Sequence, residues 1–351
     1  MSPLLAVAEH IKQSHHKAKF LLVGTRQGPE RAMAQAAGIP FVAIFAGKFR
    51  RYLSLKNLVS PFEIALGFFQ SFTILKSFRP DCVFGAGAFV QVPVVWAAWF
   101  LRIPVVMHQQ DVQAGLANRL SQYTAKKITV VFEETAKNFV SGLGIFYEAK
   151  KNKVAWTGNA VRKSFSTVNK KQAILELELS GELPVLAVIG GGTGAVAINE
   201  LIQTSLPELT KIVEIIHITG KSKNFYKPSK NYHPYEFMPN AEMAFAAADI
   251  VLTRAGIGTI SELSYMGKPA IIIPMPDSHQ EENAFYVASR GAAVVLSQKY
   301  ISSEGLVRVV RKMLIDGDLQ ERLKKHMGEL MPKNGTEQIS NIVLSVAEGG
   351  L

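Results

Sequence analysis

Short apolar runs alternate with helix-like stretches along the whole chain, and this alternation constrains the fold more than any other feature. The runs are Phe20–Val23, Phe41–Phe45, Cys82–Phe84, Val105–His108, Ile128–Phe132, Val185–Ile189, Ile215–Thr219, Ile250–Thr253 and Ala270–Pro274. Helical patterns, such as Ala195–Ser205 and Asn283–Arg290, lie between them. Strands that alternate with helices form parallel sheets with helices on both faces. The sequence therefore predicts an α/β fold.

A lysine-rich polar stretch at residues 150–153 separates two halves of this pattern. The chain has 351 residues, too many for one ordinary domain and enough for two. We expect two Rossmann-like domains facing across a cleft, one over residues 1–152 and one over residues 153–335. Residues 336–351 are predicted to form a helix that packs back on the N-terminal domain.

The net charge of +11 favours an anionic partner. The candidates are nucleic acid, an acidic membrane and a phosphate-bearing substrate. The sequence has no nucleic-acid-binding signature, so we expect no nucleic acid partner. It has one cysteine, Cys82, and no Cys/His cluster, so neither a disulfide framework nor a protein-bound metal is predicted. The most apolar run, Val90–Val106, is interrupted by two prolines and an arginine and is too short to span a membrane.

A glycine-rich loop, Gly190–Ala195, follows the strand Val185–Ile189 and precedes a helix. Glycine lets a backbone approach a ligand closely, and a helix N-terminus attracts anions. The loop therefore suits a diphosphate, although a plain tight turn is the alternative. It matches neither a Walker A motif nor Gly-x-Gly-x-x-Gly, which disfavours ATP and NAD.

Three further polar segments follow predicted strands. In Arg254–Glu262, Thr259 and Glu262 have capping-box spacing, so Glu262 either caps its helix or binds a ribose. In 277–283, Gln280 and Asn283 lie one helical turn apart and suit sugar hydroxyls. In the first half, a second glycine loop lies at 85–89, and His108–Asp111 ends a strand ahead of Asn118.

Together these motifs resemble the MurG family, and the resemblance covers nearly the whole chain. The similar segments are Gly190–Ala195, Asn159–Arg162, His217–Lys221, Arg254–Glu262, His279–Asn283, His108–Asp111 and Gly115–Arg119. The resemblance implies a GT-B fold and metal-independent, inverting transfer of N-acetylglucosamine, without a cofactor, from UDP-GlcNAc to undecaprenyl-pyrophosphoryl-muramyl-pentapeptide. It also implies peripheral attachment to the cytoplasmic face of the cell membrane.

Carried over by position, the resemblance also implies a set of substrate-binding residues. Asp111 and Asn118 would face the donor–acceptor cleft, and the donor site would contain Arg162, Gly191, Gly192, Thr193, Met238, Ile257, Gly258, Thr259, Ile260, Ser261, Glu262, Gln280 and Asn283.

The chain departs from the family pattern in four places, one of which is Ala255, where the family has Ser. Gly192-Thr193 stands where the family has Ser-Gln, and Gln109 and Asp111 stand where it has Glu and Asn. The family's first strand, and its glycine loop with the histidine expected to act as base, have no counterpart. We therefore expect the natural protein to start roughly 15–20 residues earlier, the length of one strand and a loop. The catalytic base is unknown, with His108 a weak candidate.

Two alternatives remain open: another GT-B enzyme, such as a glycolipid transferase or UDP-sugar epimerase, and a non-catalytic sugar-nucleotide-binding protein. A membrane hypothesis concerns residues 47–79, where basic residues flank an apolar, aromatic face. The basic residues are Lys48, Arg50, Arg51, Lys56, Lys76 and Arg79, and the apolar ones are Phe62, Leu66, Phe68, Phe69 and Phe72. This composition suits an anionic interface, and an ordinary core helix is the alternative.

Overall fold

The computed structural model describes residues 2–26, 28, 30–47, 56–140, 153–190, 195–220 and 227–349. The chain divides into two compact units. The first contains Met1–Arg162 and Asn334–Leu351, and the second contains Lys163–Lys333. The first unit thus continues past residue 152, where the sequence placed the boundary, because a further strand joins its sheet.

The first unit alternates strands and helices. Its strands are β1 (Leu22–Gly24), β2 (Phe41–Ala43), β3 (Val83–Gly85), β4 (Val105–Gln109), β5 (Lys127–Val130) and β6 (Val154–Trp156). Its helices before residue 162 are α1 (Ser2–Ser14), α2 (Glu30–Ala36), α3 (Lys56–Phe78), α4 (Gln91–Phe100), α5 (Leu116–Ser121) and α6 (Glu133–Val140).

These strands form two separate parallel sheets. β1 pairs with β2, and the other sheet has the order β3-β4-β5-β6. Every residue of β4 is buried. Val105 and Met107 of β4 pack with Ile128 and Val130 of β5 and with Val95 of α4. Strands covered on both faces need apolar residues throughout, which explains the continuous apolar runs in the sequence.

The second unit is also doubly wound. Its strands are β7 (Val185–Ile189), β8 (Glu214–Ile218), β9 (Tyr232–Tyr235), β10 (Ile250–Thr253), β11 (Ala270–Ile272) and β12 (Val294–Val295). Its helices are α7 (Ser164–Thr167), α8 (Lys170–Glu176), α9 (Val196–Leu209), α10 (Ala241–Ala247), α11 (Ile257–Met266), α12 (Gln280–Ser289), α13 (Ser303–Ile315) and α14 (Gly317–Gly328).

One six-stranded parallel sheet, in the order β12-β11-β10-β7-β8-β9, organises the second unit. The order reverses at β7, which pairs with β8 on one side and with β10 on the other. In open α/β sheets ligands bind beyond the carboxyl ends of the strands at such a switch point. The topology therefore predicts a ligand site at the loops that follow β7 and β10.

The last helix, α15 (Gly335–Ala347), belongs to the first unit, where it packs against α1. Val7 and Ile11 of α1 share a small apolar cluster with Ile339 of α15. A Cβ on Gly335 would lie 2.3 Å from the backbone oxygen of Asn159. The first turn of α15 can therefore approach the chain at this point only because residue 335 is glycine.

Three strands have no counterpart among the sequence predictions: β6, β9 and β12. All three lie at sheet edges. β9 carries a histidine and a proline, and β12 has only two residues. Edge strands are only partly enclosed, so they tolerate proline and polar residues and lack the apolar run that marks a central strand.

Candidate functional site

Two neighbouring strands, β7 and β10, end beside each other at the switch point of the second unit. Ile189, the last residue of β7, is in register with Thr253, the last residue of β10. The Thr253 hydroxyl donates a hydrogen bond to the Ile189 carbonyl at 2.8 Å, which ties the two strand ends together. Each strand continues through a loop into a helix, α9 or α11. The predicted site residues Gly191, Gly192 and Thr193 lie outside the described residues.

The loop after β10 leads directly into the N-terminus of α11. Gly256 is the N-cap residue and makes no side-chain cap, so Thr259 lies within the first turn. The capping-box interpretation of Thr259 and Glu262 was therefore wrong. A Cβ on Gly256 or Gly258 would meet no atom of the described residues within 4 Å, so this turn adjoins open space in the described part of the unit.

The first-turn amides of a helix have no carbonyl partner within the helix. In α11 these are the N–H groups of Ile257, Gly258 and Thr259, since the first intrahelical bond runs from Ile260 N–H to the Gly256 carbonyl. Amides that adjoin open space at the positive end of a helix dipole bind anions. The N-terminus of α11 is therefore suited to a phosphate group.

Residues along α11 divide into an inner and an outer face. Ile260 and Ser261 are buried, and the Ser261 hydroxyl donates to the Ile257 carbonyl at 2.7 Å. Thr259 and Glu262, three residues apart on the helix, are half-buried. Among the predicted site residues of α11, Thr259 and Glu262 are thus the polar side chains that are partly exposed.

Side chains from α12 fix the neighbouring loops. Asn283 is fully buried, and its amide nitrogen donates to the Ala255 carbonyl at 3.2 Å. Gln280 accepts a hydrogen bond from the Met275 N–H at 3.0 Å. Both were predicted to contact substrate, and the structure shows contacts that hold loop backbone. Met238, another predicted contact, is buried just after β9.

Arg254 braces the same region, a role that the sequence did not reveal. Its guanidinium donates to the carbonyls of Ile273 and Pro274, at 3.0 and 3.1 Å, and to the side-chain oxygen of Gln298 at 2.6 Å. The loop after β10 is therefore fixed to the end of β11. A rigid loop keeps the α11 amides in place before any ligand arrives.

In the first unit, His108 on β4 lies in a closed polar cluster. Its Nε2 is 3.1 Å from the side-chain oxygen of Asn159, and its Nδ1 is 2.8 Å from the Thr129 hydroxyl. The side chain is fully buried, and this burial lowers the pKa of His108 to about 4. A ring with both nitrogens engaged inside the protein is poorly placed to take a proton from a substrate. The geometry therefore argues against His108 as the catalytic base.

A network of side-chain amides holds the glycine loop that follows β3. Gln91 accepts from the Gly87 N–H at 2.7 Å and donates to the Asn118 oxygen at 2.9 Å. Asn118 in turn donates to the side-chain oxygen of Gln109. Asn118 is buried, and the structure places it as a support of this loop, whereas Asp111 is half-buried at the end of β4.

Arg162, the last predicted donor contact in the first unit, is half-buried where that unit's first segment ends. Its neighbour Val161 is held through both backbone groups by the Thr336 hydroxyl, at 3.0 and 2.9 Å. Among the described residues, no group of three or more His, Cys, Asp or Glu side chains is arranged to hold a metal ion.

An apolar surface of the first unit combines α3 and α4. Phe62, Leu66 and Phe69 form one exposed stripe on α3, and Trp96, Trp99 and Phe100 form another on α4. Phe68 joins the two helices, with its ring 5.6 Å from that of Phe69 and 6.4 Å from that of Phe100. We call these six exposed residues the aromatic surface. The sequence had pointed to the α3 half alone.

Cationic side chains accompany this surface. Lys76 and Arg79 at the end of α3, and Arg102 after α4, are exposed. Lys48, Arg50 and Arg51 of the predicted basic set lie outside the described residues, as does the side chain of Lys56. In the part of the chain that the structure covers, no helix is long and apolar enough to cross a membrane.

Family models match most of the chain. Residues 1–130 match the N-terminal domain of glycosyltransferase family 28, and residues 185–339 match its C-terminal domain. The chain is 32% identical, over 99% of its own length and 96% of the relative's, to UDP-N-acetylglucosamine–N-acetylmuramyl-(pentapeptide) pyrophosphoryl-undecaprenol N-acetylglucosamine transferase 2 of Bacillus cereus. It is also 32% identical to the transferase with the same name, without the number, in Legionella pneumophila, over 98% and 93% of the two chains.

Solved structures share the fold. The crystal structure of Acinetobacter baumannii MurG has a TM-score of 0.71 and 24% identity, over 98% of this chain and 95% of that one. A UDP-GlcNAc 2-epimerase from Neisseria meningitidis has a TM-score of 0.69 and 16% identity, over 98% of both chains. These matches confirm the expected GT-B class of two Rossmann-like units. Because transferases and epimerases share it, the fold alone does not separate the two activities.

Proposed function

Because the chain belongs to glycosyltransferase family 28, and within it to the MurG transferases, we propose that it transfers N-acetylglucosamine from UDP-GlcNAc to a lipid-linked muramyl-pentapeptide. The product would be the disaccharide-pentapeptide carried on undecaprenyl diphosphate. The observation that carries this proposal is 32% identity over 96% of a relative named for this reaction. An epimerase is the weaker candidate, since its 16% identity supports only a common fold.

The donor site in this proposal is centred on the N-terminus of α11. The amides of residues 257–259 adjoin open space, where the UDP diphosphate can accept their hydrogen bonds. Glu262 lies on the outer face of the same helix, where its carboxylate can accept hydrogen bonds from the ribose hydroxyls. Asn283 bonds to the Ala255 carbonyl, and Arg254 bonds to the carbonyls of Ile273 and Pro274, so these two side chains hold the loop before α11 in place.

The chemistry in this proposal is a direct displacement without metal or cofactor. The acceptor hydroxyl attacks the anomeric carbon of N-acetylglucosamine, the bond to UDP breaks, and the configuration inverts. Positive helix ends and amide groups stabilise the negative charge that develops on the departing diphosphate. A base must take the hydroxyl proton, and the enclosed position of His108 leaves that role to another residue.

The aromatic surface supports a membrane-bound acceptor. Phe69 is 68% exposed and Trp99 is 55% exposed, and Phe68 joins their two helices, so these side chains belong to one contiguous apolar patch of the kind that marks an interaction site. Aromatic residues with flanking Lys76 and Arg102 fit the headgroup region of an anionic bilayer. We place the protein at the cytoplasmic face of the cell membrane, bound peripherally through the first unit.

The decisive experiment combines purified protein, labelled UDP-GlcNAc and the lipid-linked muramyl-pentapeptide. The proposal expects labelled sugar on the lipid together with free UDP. Conversion of UDP-GlcNAc to its 2-epimer would favour the epimerase instead. Donor binding without any turnover, with intact acceptor and anionic lipid present, would favour the non-catalytic sugar-nucleotide-binding protein.

Glu262→Ala tests the donor site itself. Loss of a partly buried hydrogen-bonding carboxylate should weaken UDP-GlcNAc binding by roughly 1–3 kcal/mol, about 5- to 150-fold in Kd. Calorimetric titration measures this directly. Glu200→Ala, which removes an exposed carboxylate from α9, is the matched control and should bind normally. Equal affinities for the two variants would mean that Glu262 makes no donor contact.

A further inference from the structure

Residues 157–162 follow β6 and form neither a helix nor a strand. Such irregular backbone lacks the repeated hydrogen bonds of a helix or sheet, so other contacts must fix its path. Arg162 is the residue at which this segment, and with it the long first part of the first unit, ends. The position of the Arg162 guanidinium therefore depends on what holds the residues before it.

The sheet holds the beginning of this segment. The Thr157 N–H donates to the Val130 carbonyl at 3.1 Å, which continues the pairing of β6 with β5. The side-chain oxygen of Asn159 accepts from the Ala160 N–H at 2.9 Å and lies 3.1 Å from Nε2 of His108. His108 on β4 therefore supports this backbone through Asn159.

Helix α15 holds the end of the segment. The Val161 N–H donates to the Thr336 hydroxyl oxygen at 3.0 Å, and the same hydroxyl donates to the Val161 carbonyl at 2.9 Å. One side chain thus bonds to both backbone groups of one residue. The Val161 carbonyl shares a rigid peptide plane with the Arg162 N–H, so this contact also fixes the direction in which the Arg162 side chain leaves the backbone.

The close approach of α15 to this segment requires glycine at residue 335. A Cβ at this position would lie 2.3 Å from the backbone oxygen of Asn159 and 2.8 Å from that of Thr157. Thr336 is the next residue of the helix, and its side chain is half-buried. Two neighbouring residues therefore act together, since Gly335 permits the approach and Thr336 makes the hydrogen bonds.

We propose that Thr336 is a positioning residue for the transfer reaction, and that it holds Arg162 where the guanidinium binds the diphosphate of the sugar-nucleotide donor. This inference rests on the proposed function, in which UDP-GlcNAc is the donor. A guanidinium binds phosphate through two parallel hydrogen bonds, a geometry that tolerates little misalignment. Thr336 itself touches no substrate, because it acts through the backbone of Val161 and Arg162.

Two substitutions at residue 336 test this role. Thr336→Val removes the hydroxyl and keeps the branched shape, and it should raise the Kd of UDP-GlcNAc about tenfold because the guanidinium is displaced. Thr336→Ser keeps the hydroxyl and should bind the donor as the parent does. In the ligand-free protein, amide hydrogen exchange at Val161, measured by NMR, should quicken about tenfold or more in Thr336→Val alone, because this N–H loses its acceptor.

A control and a double-mutant cycle separate positioning from support of the fold. Ser340→Ala removes a hydroxyl that donates to the Thr336 carbonyl within α15, at 2.7 Å, and should leave donor affinity unchanged. Arg162→Ala removes the guanidinium, so Thr336→Val should cause no further loss of donor affinity when the two changes are combined. Losses that add in the double variant would show that Thr336 acts independently of Arg162, and they would overturn the proposal.

The choice of ligand completes the test. Uridine, which lacks phosphate, should bind Thr336→Val and the parent equally, and an equal loss for uridine and UDP-GlcNAc would overturn the proposal. In the transfer assay, KM should rise for UDP-GlcNAc and stay unchanged for the lipid-linked acceptor, and a rise for the acceptor alone would also overturn it. A parent protein that transfers no sugar contradicts the proposed function. Normal transfer by the parent, together with parental donor affinity in Thr336→Val, overturns the positioning role alone.

Discussion

Acidification should destabilise each unit through one buried histidine. His108 in the first unit and His217 in the second are both buried, and burial lowers the pKa of each to about 4. His217 lies 3.1 Å from the side-chain oxygen of Asn199 and 3.0 Å from the Tyr232 hydroxyl, an arrangement like that of His108. Each ring is therefore held in its neutral form in the folded protein.

The sign and size of this change in stability follow from proton linkage. In the unfolded chain each ring takes up a proton near the ordinary histidine pKa of 6.5, whereas the folded state resists protonation down to about pH 4. The contribution of each neutral ring to the free energy of unfolding is therefore fully present above pH 6.5, and it is lost as the pH falls from 6.5 towards 4. Each pH unit in this window costs about 1.4 kcal/mol per histidine, so roughly 2 kcal/mol is lost for each at about pH 5.

The assay is denaturant unfolding at about pH 7.5 and at about pH 5. Its readout is the decrease in the free energy of unfolding between the two pH values, which we call the acid loss. His108→Gln removes one titrating ring, and it should reduce the acid loss of the first unit's transition by roughly 2 kcal/mol. Any loss of packing that is equal at both pH values cancels in this difference. His16→Gln, an exposed control, should leave the acid loss unchanged. An acid loss in His108→Gln as large as in the parent would refute the reasoning.

Two further predictions concern the first unit. Phe69→Ser combined with Trp99→Ser should reduce flotation with anionic liposomes at least about tenfold, because two apolar anchors are lost, each contributing on the order of 1 kcal/mol or more. Leu175→Ser, which changes a still more exposed apolar residue in the second unit, should float normally. Binding that does not depend on lipid charge or salt would contradict the membrane proposal. Gly335→Ala should lower stability by about 1–3 kcal/mol because its Cβ clashes with backbone. Gly317→Ala, also at the first position of a helix but with open space, should not destabilise, and equal melting temperatures for the two variants would contradict the clash.

The central strands were predictable because their burial on both faces requires an apolar residue at every position, which is visible in the sequence as a continuous apolar run. Val185–Ile189 and Ile250–Thr253 were predicted with the bounds that the structure shows. Both lie in the middle of a parallel sheet, where every position must be apolar, so a continuous apolar run identifies them. β9 at the edge has no such requirement, and its Tyr-His-Pro-Tyr sequence gave no strand signal.

The helix start at α11 was misjudged because its cap is made without a side chain. Thr259 and Glu262 have the spacing of a capping box, but the helix begins at Ile257 and its N-cap is Gly256. A glycine N-cap satisfies the backbone geometry without a side-chain oxygen, and the sequence shows no difference between a helical Thr and a capping one. The α4 half of the aromatic surface was missed for another reason: Trp96, Trp99 and Phe100 sit in an apolar run whose exposed face only packing determines.

The polar residues predicted for the site separate into two roles that sequence alone could not distinguish. Asn118 and Asn283 are buried, and their amides bond to Gln109 and to the Ala255 carbonyl. A buried amide with such a hydrogen bond stabilises the loop. If it turned to a ligand instead, its present acceptor would be left buried without a hydrogen bond, which costs free energy.

Among the described residues of the second unit, the groups at the proposed donor site that adjoin open space are mostly main-chain. The amides of residues 257–259 adjoin open space, and the glycines at 256 and 258 keep side chains out of it. Main-chain amides at a helix N-terminus attract any phosphate, so they supply affinity for the diphosphate without selecting the nucleoside. In the proposed donor site, selectivity must then come from side chains at the rim, and among the described residues we propose Glu262, on the outer face of α11, as the carboxylate that binds the ribose. Glu262→Ala should accordingly weaken UDP-GlcNAc far more than inorganic pyrophosphate, and an equal loss for both ligands would show that the carboxylate acts only by shaping the helix end.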